Sequence, residues 1–202
     1  MKQRVAPVQE PVLPAGGRSD VLFRILCGNV ALNGLTNVHV HLSAVGSEPG
    51  EIVVPAFDYT QPANFGALAL GQWSQGERVP MVTVDGLGLR DCHLIKVDVE
   101  GMEGEVLAGA EETIRRCRPV LYVENDRREK SAALIEHLFR LDYRLYWHRP
   151  RLFNPDNFFE ETENLFRGIV SVNILGVSRS MTQNIHGLPE VTSPEADWWE
   201  SG

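Results

Sequence analysis

Cysteine is scarce in this sequence: the 202 residues hold three, Cys27, Cys92 and Cys117, an odd and widely spaced set. That usage points to neither a disulfide framework nor a zinc site, and buried free thiols are expected instead. Basic charge is also short, with 19 Lys and Arg against 27 Asp and Glu and a formal net charge of −8. Nucleic acid and anionic lipid are bound by displacing counterions with surplus Lys and Arg, so both are excluded as general partners. Long apolar runs are missing. None approaches the ~20 residues of a membrane helix, and Met1-Lys2-Gln3-Arg4-Val5-Ala6-Pro7 has no apolar signal-peptide core, so a cytoplasmic protein with no membrane partner is expected. A Gly-rich phosphate loop is lacking too. Gly16-Gly17 has no strand before it, and Asp85-Gly86-Leu87-Gly88 has Asp91 where a third glycine belongs, with too few residues left for a phosphate-binding helix.

What is present centres on Leu94-Ile95-Lys96-Val97-Asp98-Val99-Glu100-Gly101. A short, β-branched and almost wholly apolar run reads as a strand buried in the middle of a parallel sheet. Asp98 and Glu100 stand two apart at its carboxyl end, so continued strand geometry points both to one side before Gly101 turns the chain into a helix. In open α/β sheets that edge is where ligands bind, although acids there also serve to cap the next helix. The helix after Gly101 runs for roughly 14 residues by its pattern, with Val106, Leu107, Ala110 and Ile114 inward and Pro119 as its stop. Val120-Leu121-Tyr122-Val123-Glu124 then repeats the theme of an apolar strand ending in an acid, making residues 94–124 one βαβ unit. The repetition favours a site over simple capping.

The rest of the chain frames that unit. Proline and glycine crowd residues 1–18, which read as a disordered or loosely packed arm. Ser19 and Asp20 offer an N-cap for a helix that ends at Asn33-Gly34. Val38 to Leu42 alternates like a strand with His39 and His41 on one face; no third ligand accompanies them, and no metal is called for anywhere in the sequence. Residues 51–55 and 79–84 read as short strands joined by a long Gly- and Pro-bearing loop containing Phe57, Tyr59, Phe65 and Trp73. A helix is expected at 129–141, strands at 143–148 and 169–177, and an aromatic excursion at 149–167. The excursion would leave the acid-bearing edge with His148 at its root and either close over the site as a lid or plug itself with its own phenylalanines. Residues 178–202 read as a mobile tail ending in Trp198-Trp199.

The run Leu94 to Ala110 resembles the signature of FkbM-type methyltransferases. Residues 26–35 resemble that family's helix before the third sheet strand, Ser43-Ala44-Val45-Gly46 the turn after it, and Arg118 to Glu124 its fifth strand, so the likeness covers about residues 21–177. The resemblance implies a Rossmann-like class I fold with the usual strand order 3-2-1-4-5-7-6, parallel except for its last strand. It also implies S-adenosylmethionine as cofactor and O-methylation of a sugar or another small hydroxyl-bearing metabolite. On that reading Asp98, Glu100, Glu124 and His148 are the catalytic candidates, while Ser43, Ala44 and Asp98 are the cofactor-binding ones.

One departure stands beside the match. The family's first strand, Gly-rich loop, first helix and second strand precede the helix that starts here near Ser19, and residues 1–18 are too few to supply them. The expectation is thus a partial sheet of strands 94–99, 119–124, 143–148 and 169–177, with 38–42 displaced and strand 94–99 left with an open edge. Residues 19–177 form a truncated methyltransferase-like domain on this reading, its activity impaired. The alternative is an inactive fragment, or a protein-binding module using the open edge and the 149–167 loop. Self-association through that edge is a further expectation.

Overall fold

The computed structural model describes residues 19–55, 73–182 and 184–198, with side chains from residue 23 onward. The expected arm, most of the long loop after residue 55, and Trp199 lie outside the described residues. Helix α1 (Ser19–Leu32) forms where capping and periodicity placed it, and it stops as the sequence dictates: Asn33 donates from its backbone and its side chain to Asn29 O, and Gly34 takes φ +62°. Its apolar stripe is only half covered. Phe23, Leu26 and Val30 are partly buried, but Ile25 and Leu32 are exposed.

Residues 38–42 are not a strand. They keep the alternation in burial, with His39 and His41 outward, but among the described residues no segment pairs with them. Pairing begins at β1 (Ala44–Val45), which joins β2 (Gly50–Val54) and β3 (Glu77–Val82) in a three-stranded sheet of order β1-β3-β2. The would-be phosphate loop after β3 is a 3-10 turn, Asp85–Leu87, and its acid has a structural task described below.

The larger sheet follows the βαβ reading. Strand β4 (Leu94–Val97) pairs in parallel with β5 (Val120–Glu124), in register Leu94 to Val120 through Val97 to Val123. The crossover between them is two short helices rather than one of 14 residues: α2 (Glu103–Ala108) and α3 (Glu111–Cys117). The break falls at Gly109, where a Cβ would lie 2.1 Å from Gly46 O, and Gly109 O accepts from Asp85 N–H at 2.9 Å. The 3-10 turn and the chain after β1 wedge themselves into the crossover there, and only a glycine admits them. Asp85 then caps α3, its carboxylate accepting from Glu112 N–H at 3.0 Å and Thr113 N–H at 2.7 Å.

Helix α4 (Arg128–Arg140) leads to β6 (Tyr143–His148), and the chain returns as β7 (Asn173–Ser178), antiparallel to both β5 and β6. A fifth strand closes that end: β8 (Glu190–Val191) pairs antiparallel with β6, giving the order β4-β5-β7-β6-β8. The tail expected to be mobile therefore docks. Val191 is buried and Trp198 packs against the core, because the free edge of β6 offers unpaired backbone groups that the tail satisfies.

One face of the large sheet carries the core. Ile95, Val97, Leu121, Val123, Ile174, Leu145 and Trp147 pack against Val106, Leu107, Ile114, Ile135 and Leu138 of the helices. Each such side chain contributes about 1.5–3 kcal/mol when fully buried. The alternate residues of the same strands, Lys96, Tyr122, Glu124, Asn173 and His148, share the opposite face. Of the three cysteines, Cys92 is buried and the other two only partly so, all of them free.

Candidate active site

Parallel register places the two acids together. Val97 and Val123 are the last residues paired between β4 and β5, so Asp98 and Glu124 follow side by side at the carboxyl edge, Glu124 still paired with β7. Glu100 joins them by a turn rather than by strand geometry, since β4 ends at Val97 and Glu100 and Gly101 take φ +52° and +100°. Oxygens of Asp98, Glu100 and Glu124 lie within 4.8 Å of one another. A divalent cation could bridge such a spacing, but two of the acids already have cationic partners. Lys96 Nζ reaches Asp98 at 2.8 Å, and Arg127 reaches Glu100 at 2.8 Å.

The motif's next acid does different work. Glu103 is buried, and its Oε1 accepts from Gly101 N–H at 2.9 Å, bracing the turn that delivers Glu100. Lys130 also donates to Gly101 O from α4.

Glu124 is the electrostatic focus. Its Oε2 is buried without a hydrogen-bond partner. Burial first, then the negative charge of Asp98, Asp126 and Glu100, pushes its carboxyl up to about 8. A proton retained between Glu124 and Asp98 satisfies the orphaned oxygen and removes one of two adjacent like charges. Glu100 is raised as well, by burial first and by Asp126 next, with Arg127 opposing.

The row continues across the sheet. Glu124 stands opposite Asn173, and Asn173 opposite His148, so the root of the 149–167 excursion shares the acids' edge. His148 Nδ1 lies 2.7 Å from Tyr122 Oη, their rings meeting edge-on at 61°. Sequence reasoning passed over Tyr122 and Lys96, although each precedes a chosen acid by two residues and alternation alone puts them on that face.

The excursion is not a self-plugged loop. Arg151 bridges Val170 and Leu152 N–H donates to Ile169 O, prolonging the β6–β7 hairpin, while Phe158 and Phe159 stand 93% and 86% exposed. Among the described residues, no hydrogen bond or ion pair joins residues 150–167 to the three acids. Ser43 and Ala44 are not brought to them by pairing: Ala44 is buried in the small sheet opposite Met81.

Acid-tipped parallel strands joined by a crossover, with the last long strand antiparallel, define a Rossmann-like α/β protein whose order β4-β5-β7-β6 matches the 4-5-7-6 half of the class I methyltransferase sheet. A family model for the methyltransferase FkbM domain matches residues 9–145, and the chain belongs to that family. Among solved structures, it is similar to methyltransferase FkbM from Methylobacillus flagellatus KT, with 16% identity and a TM-score of 0.46, covering 76% of this chain and 32% of that one. No curated protein matches. Among the described residues, no helix is long and apolar enough to cross a membrane.

Proposed function

We propose that this chain serves S-adenosylmethionine-dependent O-methylation of a sugar or another small hydroxyl-bearing metabolite, with activity impaired when it acts alone. The observation that carries the reading is the meeting of Asp98, Glu100 and Glu124 at the carboxyl edge of two adjacent parallel strands. The cofactor presents a sulfonium and an ammonium group, and a cluster of three carboxyl groups at the strand ends suits those cationic ends. The fit stops there. Among the described residues no Gly-rich loop follows a strand, and Ala44, which would meet the adenine by resemblance, is itself buried.

When bound, the cofactor supplies a methyl group on a positively charged sulfur. The chain's own part is to hold an acceptor hydroxyl and to receive its proton. Glu124 suits the second task, because a base is most effective when its pKa lies near the working pH and Glu124 sits at about 8. Asp98 and Glu100, each with one oxygen engaged by Lys96 or Arg127, would offer the other to the cationic ends. They contribute binding rather than acceleration, since the positive charge fades as the methyl departs.

A second reading is favoured by the exposed Leu94 on β4 and by the bare Phe158 and Phe159: an inactive module that binds protein through its open edge and its 149–167 loop. Titration calorimetry of the whole chain with S-adenosylmethionine separates the two. Saturable heat is expected, with Asp98→Asn and Glu124→Gln each weakening affinity about tenfold, or ~1.4 kcal/mol. Absence of saturable binding would leave the second reading.

A further inference from the structure

The open face of the sheet pairs two side chains that carry exchangeable protons, and only one of them has been given a task. Tyr122 projects from the middle of β5, two residues before Glu124 and opposite Lys96. His148 ends β6, two strands away, with β7 between. Their side chains nevertheless meet across β7, Oη to Nδ1 at 2.7 Å, a short contact for a phenol and an imidazole nitrogen. Leu175 and Asn173 of β7 stand between them in register, and the two rings lie edge-on above them with centroids 5.7 Å apart. His148 Nε2 has no hydrogen-bond partner among the described residues. One nitrogen of the ring is thus fixed by the protein and the other is left for something else.

We propose that Tyr122 is a positioning residue, whose hydroxyl donates to His148 Nδ1 and so fixes the imidazole as the Nε2–H tautomer. The inference rests on the methyltransferase reading for its functional meaning and changes the part His148 plays there. A neutral imidazole whose Nδ1 accepts must carry its hydrogen on Nε2. It is then a donor and cannot be the base. It offers Nε2–H to the lone pair of an incoming hydroxyl oxygen, and the hydroxyl proton remains for a carboxylate of the neighbouring row. The division of labour is geometric. Glu124, Asn173 and His148 form one row across three strands, so an acceptor laid along that row meets an oxygen-lined end and a donor end.

The contact itself allows either the phenol O–H or the imidazole N–H to donate, and the proposal assigns the first. A phenol in a partly buried site keeps its proton, and a phenol that keeps its proton is a better donor than acceptor toward an imidazole nitrogen. Burial raises the Tyr122 phenol, and the nearby Asp98 carboxylate adds to this while Lys96 opposes it. The opposite arrangement, Nδ1–H donating to the phenol oxygen, would leave Nε2 bare and restore His148 as a base.

Long-range 1H–15N correlation spectra of the full chain, without cofactor and above the imidazole's titration range, read the tautomer directly. His148→Gln identifies the signals among those of the six histidines. The Nε2–H pattern is expected in the wild type. Tyr122→Phe, which keeps the ring and removes the hydroxyl, should collapse it to the averaged shifts of an unconstrained histidine while the backbone spectrum elsewhere stays in place. An Nδ1–H pattern in the wild type overturns the proposal. So does a Tyr122→Phe spectrum in which His148 is unchanged. Should Tyr122→Phe perturb the fold, the wild-type pattern still decides the direction of the bond. Because no cofactor is present in the measurement, failure of the calorimetric titration and failure of the tautomer assignment are separate results.

Discussion

Glu124 makes the charge state of the acid cluster a property of folding. Its carboxyl sits at about 8 in the folded chain against an ordinary 4.5, because burial and three neighbouring carboxylates disfavour its charge. The sign follows: between those two values the folded chain binds more protons at this residue than the unfolded chain, so stability falls as pH rises through the window. Glu100, raised in the same direction, adds to the slope. Urea midpoints measured from pH 5 to pH 8.5 should decline in the wild type. In Glu124→Gln the decline should be clearly shallower, and equal slopes would remove Glu124 as the cause. At this scale the sequence was informative wherever strand and acid coincide. Asp98 and Glu124 were legible from the order of residues alone. The pairing of Tyr122 with His148 was not, because it depends on β7 entering between β5 and β6 from far along the chain. Glu103 is a buried brace that the sequence does not announce, since nothing local marks a carboxylate that will turn back on Gly101.

At the scale of elements, the crossover is the instructive case. Val106, Leu107, Ala110 and Ile114 do form one buried stripe, so periodicity correctly reported which face is inward. It could not report the break at Gly109, which is imposed by contact with Gly46 and the turn at Asp85. Two substitutions test that account. Asp85→Ala removes the acceptor for two N–H groups at the start of α3 and should lower stability by about 0.5–2 kcal/mol. Gly109→Ala pushes a methyl into Gly46 O and should cost about 1–3 kcal/mol. Both are read from urea unfolding. A neutral Gly109→Ala would mean that the small sheet does not press on the crossover. The segment 38–42 shows the complementary lesson. Its alternation is real, yet alternation is a statement about two faces and makes no strand without a neighbour to bond. The same need for a neighbour draws β8 out of the expected tail.

Across the whole molecule, the large sheet is unequal at its two ends. The outer side of β4 pairs with nothing among the described residues, although Ile95 and Val97 are as buried as central-strand residues. Leu94 and Lys96 face outward there, and Lys96 is the kind of residue that blunts an edge. Residual pairing should still show. Sedimentation velocity over a rising concentration series is expected to reveal association of the chain with itself, and Leu94→Glu should shift the boundary toward the monomer. A single slow species at every concentration would mean that Lys96 alone protects the edge. The partial sheet itself was legible beforehand, because the order of apolar strands and the absence of a glycine loop are both features of the sequence. The small sheet's separation from it was not, since it depends on which strands find partners.

Strand β8, only two residues long, has a reach beyond its size. With Leu145 and Tyr146 engaged by it and Trp147 N–H donating to Pro189 O, the far side of β6 is covered along its middle. The rim that remains there is two residues long, too short to template a further strand, so growth is expected from the β4 side alone. Two copies meeting rim to rim complete each other, and the scattering mass should level off at twice the subunit rather than climb toward filaments.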